Sequence, residues 1–225
     1  MKKSILFFTV IFFTITAYPQ NDSVKRIRIY TSPLSAIGYY TNSMLTIGLE
    51  GLPVPKWGIS AEYGIKIHDF NGYDTSLIKS KGYTYRFEIK RYDIIQGHFL
   101  KKHKVRDYIS IEYRYIKDQY NRRFEYLDDA LNEWHIDNYS VLKDIYIGNL
   151  KFGLVLPFLK RFYMDVYVGF GFRQKKFRNK NIEYNPALDD LPFYDSLVPV
   201  PPPYDFEENS GNPNLSGGFK LGIKL

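Results

Sequence analysis

Between Arg161 and Arg173 the chain reads RFYMDVYVGFGFR. The alternation is unbroken: Phe162, Met164, Val166, Val168, Phe170 and Phe172 fall on one side, and Tyr163, Asp165, Tyr167, Gly169, Gly171 and Arg173 on the other. A period of two is the signature of a β-strand with unlike faces, because successive side chains point to opposite sides of the pleat. The same rhythm returns in WGISAEYGIKIH (57–68), YTYRFEIK (83–90), YISIEYRY (108–115) and GFKLGIKL (218–225). It is weaker in RIRIY through Gly38, in Leu45 to Glu50 and in Ile145 to Leu156, which brings the expected strands to eight. A single all-β domain follows.

Across the clearest strands the apolar face carries no charge, whereas the other face carries Glu62, Lys66, Arg86, Glu88, Lys90, Glu112, Arg114, Asp165, Arg173, Lys220 and Lys224. That polar face also holds Gly58, Gly64, Gly169, Gly171, Gly218 and Gly222. Glycine weakens a strand that faces solvent, but it makes room for long side chains in a narrow interior. An eight-stranded barrel has an interior just wide enough for side chains to fill, and a barrel in hydrocarbon needs an uncharged outer face. The expected fold is therefore all-β, an eight-stranded antiparallel up-and-down transmembrane β-barrel. Its lumen is a polar network of Glu62, Lys66, Arg86, Glu88, Lys90, Glu112, Arg114, Asp165 and Arg173. Buried ions must be paired. The spacing suggests Glu88 with Arg86 or Lys90, and Glu112 with Arg114. A salt-bridged plug is favoured over a narrow pore with a slight preference for anions. The rival reading is a soluble exported barrel that carries an apolar ligand, as lipocalins do.

The opening MKKSILFFTVIFFTITAYPQ pairs Lys2 and Lys3 with a short apolar run, the pattern of a secretory signal peptide over residues 1–20, leaving 21–225 as the domain. Export makes nucleic acid a remote partner. The formal charge of +7 is spread along the chain rather than concentrated in a patch, and there is no cysteine for a disulfide. The longest connections are expected at KDQYNRRFEYLDDALNEWHIDNYS (117–140), with a short helix in YLDDALNEW, and from Gln174 to Asn214. The second is rich in proline and acids. It offers Tyr184, Phe193, Tyr194, Tyr204 and Phe206 as candidate contacts for an extracellular partner. The basic run KKHKVR (101–106) is either a solvated turn or a contact with anionic head groups.

The leader, the strand MDVYVGFGFR and the terminal SGGFKLGIKL resemble small single-domain outer-membrane β-barrels, of the OmpA transmembrane-domain and OmpX type, among the uncharacterised barrels of Gram-negative bacteria. The resemblance implies a location in the cell outer membrane and contact with its lipid. Such barrels usually end in an aromatic residue, where this chain has Leu225. No catalytic, metal or cofactor residues are expected. None of His68, His98, His103 and His135 is followed two residues on by Ser, and His135 with Asp137 reverses the order of a barrel protease's Asp–His pair.

Overall fold

The structure is a computed structural model that describes residues 27–35, 43–68, 78–95, 100, 102–128, 133–181, 183, 189–190 and 209–225. The leader segment and Tyr184, Phe193, Tyr194, Tyr204 and Phe206 lie outside the described residues. The strands are β1 (Ile27–Thr31), β2 (Ser43–Val54), β3 (Trp57–His68), β4 (Ile78–Tyr92), β5 (Arg106–Asp128), β6 (Glu133–Pro157), β7 (Phe162–Lys180), β8 (Asp189–Asp190) and β9 (Asn209–Lys224). No described helix is long and apolar enough to cross a membrane.

A single antiparallel sheet closes into a ring. Each strand from β1 to β6 pairs with the next in sequence, β7 pairs with β9, and β9 returns to β1 through Arg28 opposite Lys224 and Tyr30 opposite Gly222. Closure leaves no free sheet edge around the ring. Strand β8 stands outside this circuit as a two-residue bridge from the 181–208 connection to Leu127 and Asp128 of β5.

The alternation decides which side chains go inside. On the charged face Glu50, Glu62, Arg86, Glu88, Lys90, Glu112, Lys151, Asp165 and Lys220 are buried. On the opposite face Ile47 is 63% exposed, Ile111 69%, Val168 63% and Leu215 83%. Glycines let tyrosine rings lie flat across the interior. A Cβ at Gly48, Gly153 or Gly222 would collide with Tyr30, Tyr108 or Tyr163 respectively. Those three rings join Leu52, Tyr92 and Val155 in a cluster near the chain-terminal end of the ring.

Two connections are shorter than the sequence pattern suggests. Residues 117–140 are mostly a hairpin, with Tyr126 to Asp128 in β5 and Glu133 and Trp134 in β6, so no helix forms there in the described residues. Likewise Gln174 to Lys180 continues β7, and Asn209 to Asn214 begins β9. The pattern was obscured because its polarity inverts. Up to Tyr113 the inward side chains of β5 are polar and the outward ones apolar. Beyond it Ile116 and Tyr120 join the charged Arg114 and Asp118 on the inward face, while Lys117, Gln119 and Asn121 face outward. β6 follows suit, with Val141, Ile145 and Ile147 buried inside.

The β5–β6 hairpin outruns its neighbours. β4 pairing stops at Asn121 and β7 pairing at Ser140, but β5 and β6 stay paired to Asp128 and Glu133. Replacing residues 123–138 by Asn-Gly would join Arg122 to Tyr139, which already face each other. The shortened protein is expected to keep its β-type circular dichroism and a single cooperative unfolding transition, because the ring pairings are untouched. Loss of the β signal would show that the projection holds the ring together.

Candidate functional site: a string of charges across the ring

The interior charges come from strands that are not all neighbours. Lys220 of β9 reaches Glu88 of β4 at 2.6 Å, and Lys90 of β4 reaches Asp165 of β7 at 2.7 Å. Only a closed sheet brings these strands face to face.

The contacts form two alternating strings. In the first, Lys220 meets Glu88, Glu88 meets Lys151 at 2.8 Å, Lys151 meets Glu112 at 2.8 Å, Glu112 lies 3.4 Å from Arg86, and Arg86 meets Glu62 at 3.1 Å. In the second, Arg28 lies 3.6 Å from Glu50, Glu50 is 3.4 Å from Lys90, and Lys90 meets Asp165 at 2.7 Å. Each string contains as many acids as bases and is neutral. Neutral groups take up further lone pairs. Ser110 donates to Glu88 at 2.7 Å, Asn149 to Glu112 at 3.0 Å, Tyr108 to Asp165 at 2.7 Å and Ser32 to Glu62 at 3.0 Å, and the Tyr92 hydroxyl donates to Glu50. The cations also face aromatic rings, with Lys151 over Tyr167 at 4.0 Å, Lys90 over Tyr108 at 4.5 Å and Lys220 over Tyr30 at 4.8 Å. Cation–π attraction adds to each ion pair when water is excluded.

The pairings differ from those that spacing along one strand suggests. Glu88 takes Lys151 and Lys220 rather than Arg86 or Lys90, and Glu112 takes Lys151 and Arg86 rather than Arg114. Same-face neighbours on one strand stand about 6.6 Å apart along the chain, whereas a ring turns side chains from several strands toward one axis. Register makes the difference acute. Glu88 sits directly opposite Glu112, and Arg86 directly opposite Arg114. Like charges placed so are destabilising in a two-strand pair. Lys151 resolves the first conflict by lying between both carboxylates from the third strand, β6.

Of the residues singled out by pattern, Glu62, Arg86, Glu88, Lys90, Glu112 and Asp165 therefore join the strings. Lys66 pairs instead with Asp118 at 2.9 Å, a separate ion pair toward the hairpin end. Arg114 donates to the hydroxyl of Thr84 at 3.2 Å, and the buried Nε of Arg173 has no hydrogen-bond partner among the described residues. Arg28, Glu50 and Lys151 belong to the strings although their strands are the weakly patterned ones. Their signal was parity with the glycines and acids of adjoining strands, legible only once register is known.

Of the four histidines, the side chains of His103 and His135 are described. His103 is exposed. His135 and Asp137 share one face of β6, yet His135 stacks on Tyr126 at 5.9 Å while Asp137 accepts the Glu183 amide at 2.8 Å. Nor does any group of three or more His, Cys, Asp or Glu converge to hold a metal ion among the described residues.

Lys151→Met keeps the length of the side chain but strands Glu88 and Glu112 against each other. Removing one partner from a buried pair typically costs about 3–5 kcal/mol. The expected result is a large fall in the unfolding midpoint in denaturant, part of which Glu88→Gln in the same protein restores. Additive effects of the two substitutions would show that Lys151 does not bridge. No protein-family model, curated protein or solved structure matches the chain.

Proposed function

We propose that the chain is an eight-stranded up-and-down transmembrane β-barrel of a bacterial outer membrane, with a closed salt-bridged lumen and a structural or surface-contact role carried by its loops. The observation that carries this reading is the inversion of inside and outside. On β7 the outward positions from Phe162 to Phe172 are uncharged and apolar. Ten residue rises of ~3.3 Å at a tilt of ~40° give a band about 25 Å tall. That is the height of hydrocarbon a barrel must cross.

Both borders of the band support the reading. Toward the hairpin a belt of tyrosines runs around the outside of β3 to β6, with Tyr63–Tyr85 ring centroids at 5.2 Å, Tyr83–Tyr115 at 6.1 Å and Tyr115–Tyr146 at 5.2 Å. Immediately beyond it the outward residues become Lys81, Lys117, Lys176 and Arg178. At the other border Arg91 lies over Trp57 at 5.1 Å, and Phe158 packs near Phe162 at 6.0 Å. Amphipathic aromatics gather where hydrocarbon meets water. The polarity inversion in β5 and β6 falls at the tyrosine belt. A hairpin rising into water needs its apolar groups inside, the reverse of the arrangement in lipid.

The soluble-carrier reading requires water against Ile47, Ile111, Val168 and Leu215 and an apolar ligand against the charge strings. An exposed apolar patch of that extent is uncommon on a soluble monomer, and the strings occupy the space such a ligand needs. They also obstruct conduction, which supports the plug over the pore. Tyr184, Phe193, Tyr194, Tyr204 and Phe206 remain the proposed contact set for an extracellular partner, and no catalytic step is proposed.

Val168→Arg tests the face assignment directly. In lipid an arginine near the midplane costs about 2–4 kcal/mol, so the variant is expected to fractionate poorly with outer-membrane material while wild type does so fully. If wild type itself partitions into the soluble fraction and Val168→Arg is stable there, the carrier reading replaces this one.

A further inference from the structure

We propose that Arg114 and Arg173 bind a small oxyanion, of the phosphate or carboxylate class, inside the ring beyond the charge strings. Both arginines face inward at one level. Arg114 is directly opposite Ile147, and Ile147 directly opposite Arg173, so the two flank a single strand. With neighbouring strands ~4.8 Å apart, their backbones stand about 10 Å from each other. Two inward-reaching arginines can close on one anion from that separation.

No ion pair joins either guanidinium to an acid among the described residues. The acids nearest Arg114 along the sheet, Glu62 and Glu112, are both engaged by Arg86, and no ion pair joins either of them to Arg114. Arg114 meets only the neutral Thr84 hydroxyl at 3.2 Å, and it stands directly opposite another base, Arg86. Arg173 has a buried Nε without a hydrogen-bond partner, and so does the hydroxyl oxygen of Ser216 on β9. Beside strings that are neutral charge for charge, two such arginines at one level suit an anion. An uncompensated buried ion is costly, and the planar fork of a guanidinium suits two oxygens of one anion.

The place is less tightly enclosed than the strings. Arg114, Tyr167, Arg173, Asn214 and Ser216 are all half-buried, unlike the fully buried strings beneath them. On the β7 wall Gly169 and Gly171 leave their side-chain space to Lys151, Ser216 and Asn149. Asn149 is held in place, donating to Glu112 at 3.0 Å and accepting from Asn214 at 2.9 Å. The strings thus make a floor, and the arginines stand above it on either side of Ile147. This inference needs the closed ring but not the membrane, so it stands or falls separately from the proposed location.

The test uses the purified full chain, folded in a zwitterionic detergent, and follows its thermal midpoint while inorganic phosphate replaces chloride at constant ionic strength and pH. Acetate serves as a parallel arm to separate phosphate from carboxylate chemistry. A saturable rise of about 3 °C at a tenfold excess over half-saturation is expected for wild type with at least one of the two anions. Arg173→Gln and Arg114→Gln are expected to fold, because neither residue belongs to a string, and to lose that rise. Arg173→Lys keeps the charge but not the fork, and it is expected to retain a weaker response. A wild-type midpoint that moves no more in phosphate or acetate than in chloride overturns the proposal, as does a full response in Arg173→Gln.

Discussion

Lys151 stands between Glu88 and Glu112, two carboxylates that the pairing of β4 with β5 sets directly against each other. The rest of the interior depends on that arrangement. Antiparallel register is dictated by the outward apolar side chains, since a slip of one residue would turn every one of them inward. Once register is set, the charges have no freedom to choose opposite partners on the adjacent strand. Glu112 still reaches Arg86 of β4, but Glu88 takes its bases from β6 and β9, and it can do so only if the sheet curls until those strands face β4. Closure and neutrality are thus one condition, met together or not at all.

The strings also explain why the interior tolerates so many ions. A buried pair repays its desolvation only when geometry is good and the remaining lone pairs are filled. Here Ser110, Asn149, Tyr108, Tyr92 and Ser32 supply those extra donors, and tyrosine faces cover the cations. Such a network is a poor source of net stability compared with apolar packing, yet it is intolerant of alternatives. Any misregistered sheet would leave several carboxylates without a base, so the network selects one closed form. Glycine has a part in this as well. At Gly153 and Gly222 a side chain would occupy the space of the Tyr108 and Tyr163 rings, which seal the terminal end of the ring.

Along the ring axis the interior is layered. Tyrosines and Leu52 lie at the terminal end, then the charge strings, then Met44, Ile116, Ile145 and Ile147, and finally Tyr120, Tyr126, Tyr139 and Val141 toward the hairpin end. The passage from charged to apolar interior coincides on β5 with the passage from apolar to polar exterior. In the proposed membrane setting this is one boundary seen from both sides. Hydrocarbon outside demands apolar outward residues and leaves the polar ones to the lumen. Water outside restores the ordinary arrangement.

Period-two alternation was enough to mark the chain as all-β and antiparallel, to put WGISAEYGIKIH within the bounds of β3, and to separate charged from apolar faces. Those properties are local, because each side chain's direction follows from its neighbours on the same strand. The alternation was not enough to find the upper halves of β5, β6 and β7. There the inward and outward roles exchange, and a fixed template reads the change of phase as a loop. Nor could it name the partners of Glu88, Glu112 and Arg114, or include Arg28, Glu50 and Lys151 with them. Ion pairing depends on which strands face each other across a closed ring, and that is settled by distances between residues as far apart in the chain as Glu88 and Lys220. The sequence by itself determined the elements and their faces. Only the tertiary structure decided which charges neutralise one another and which two arginines are left over.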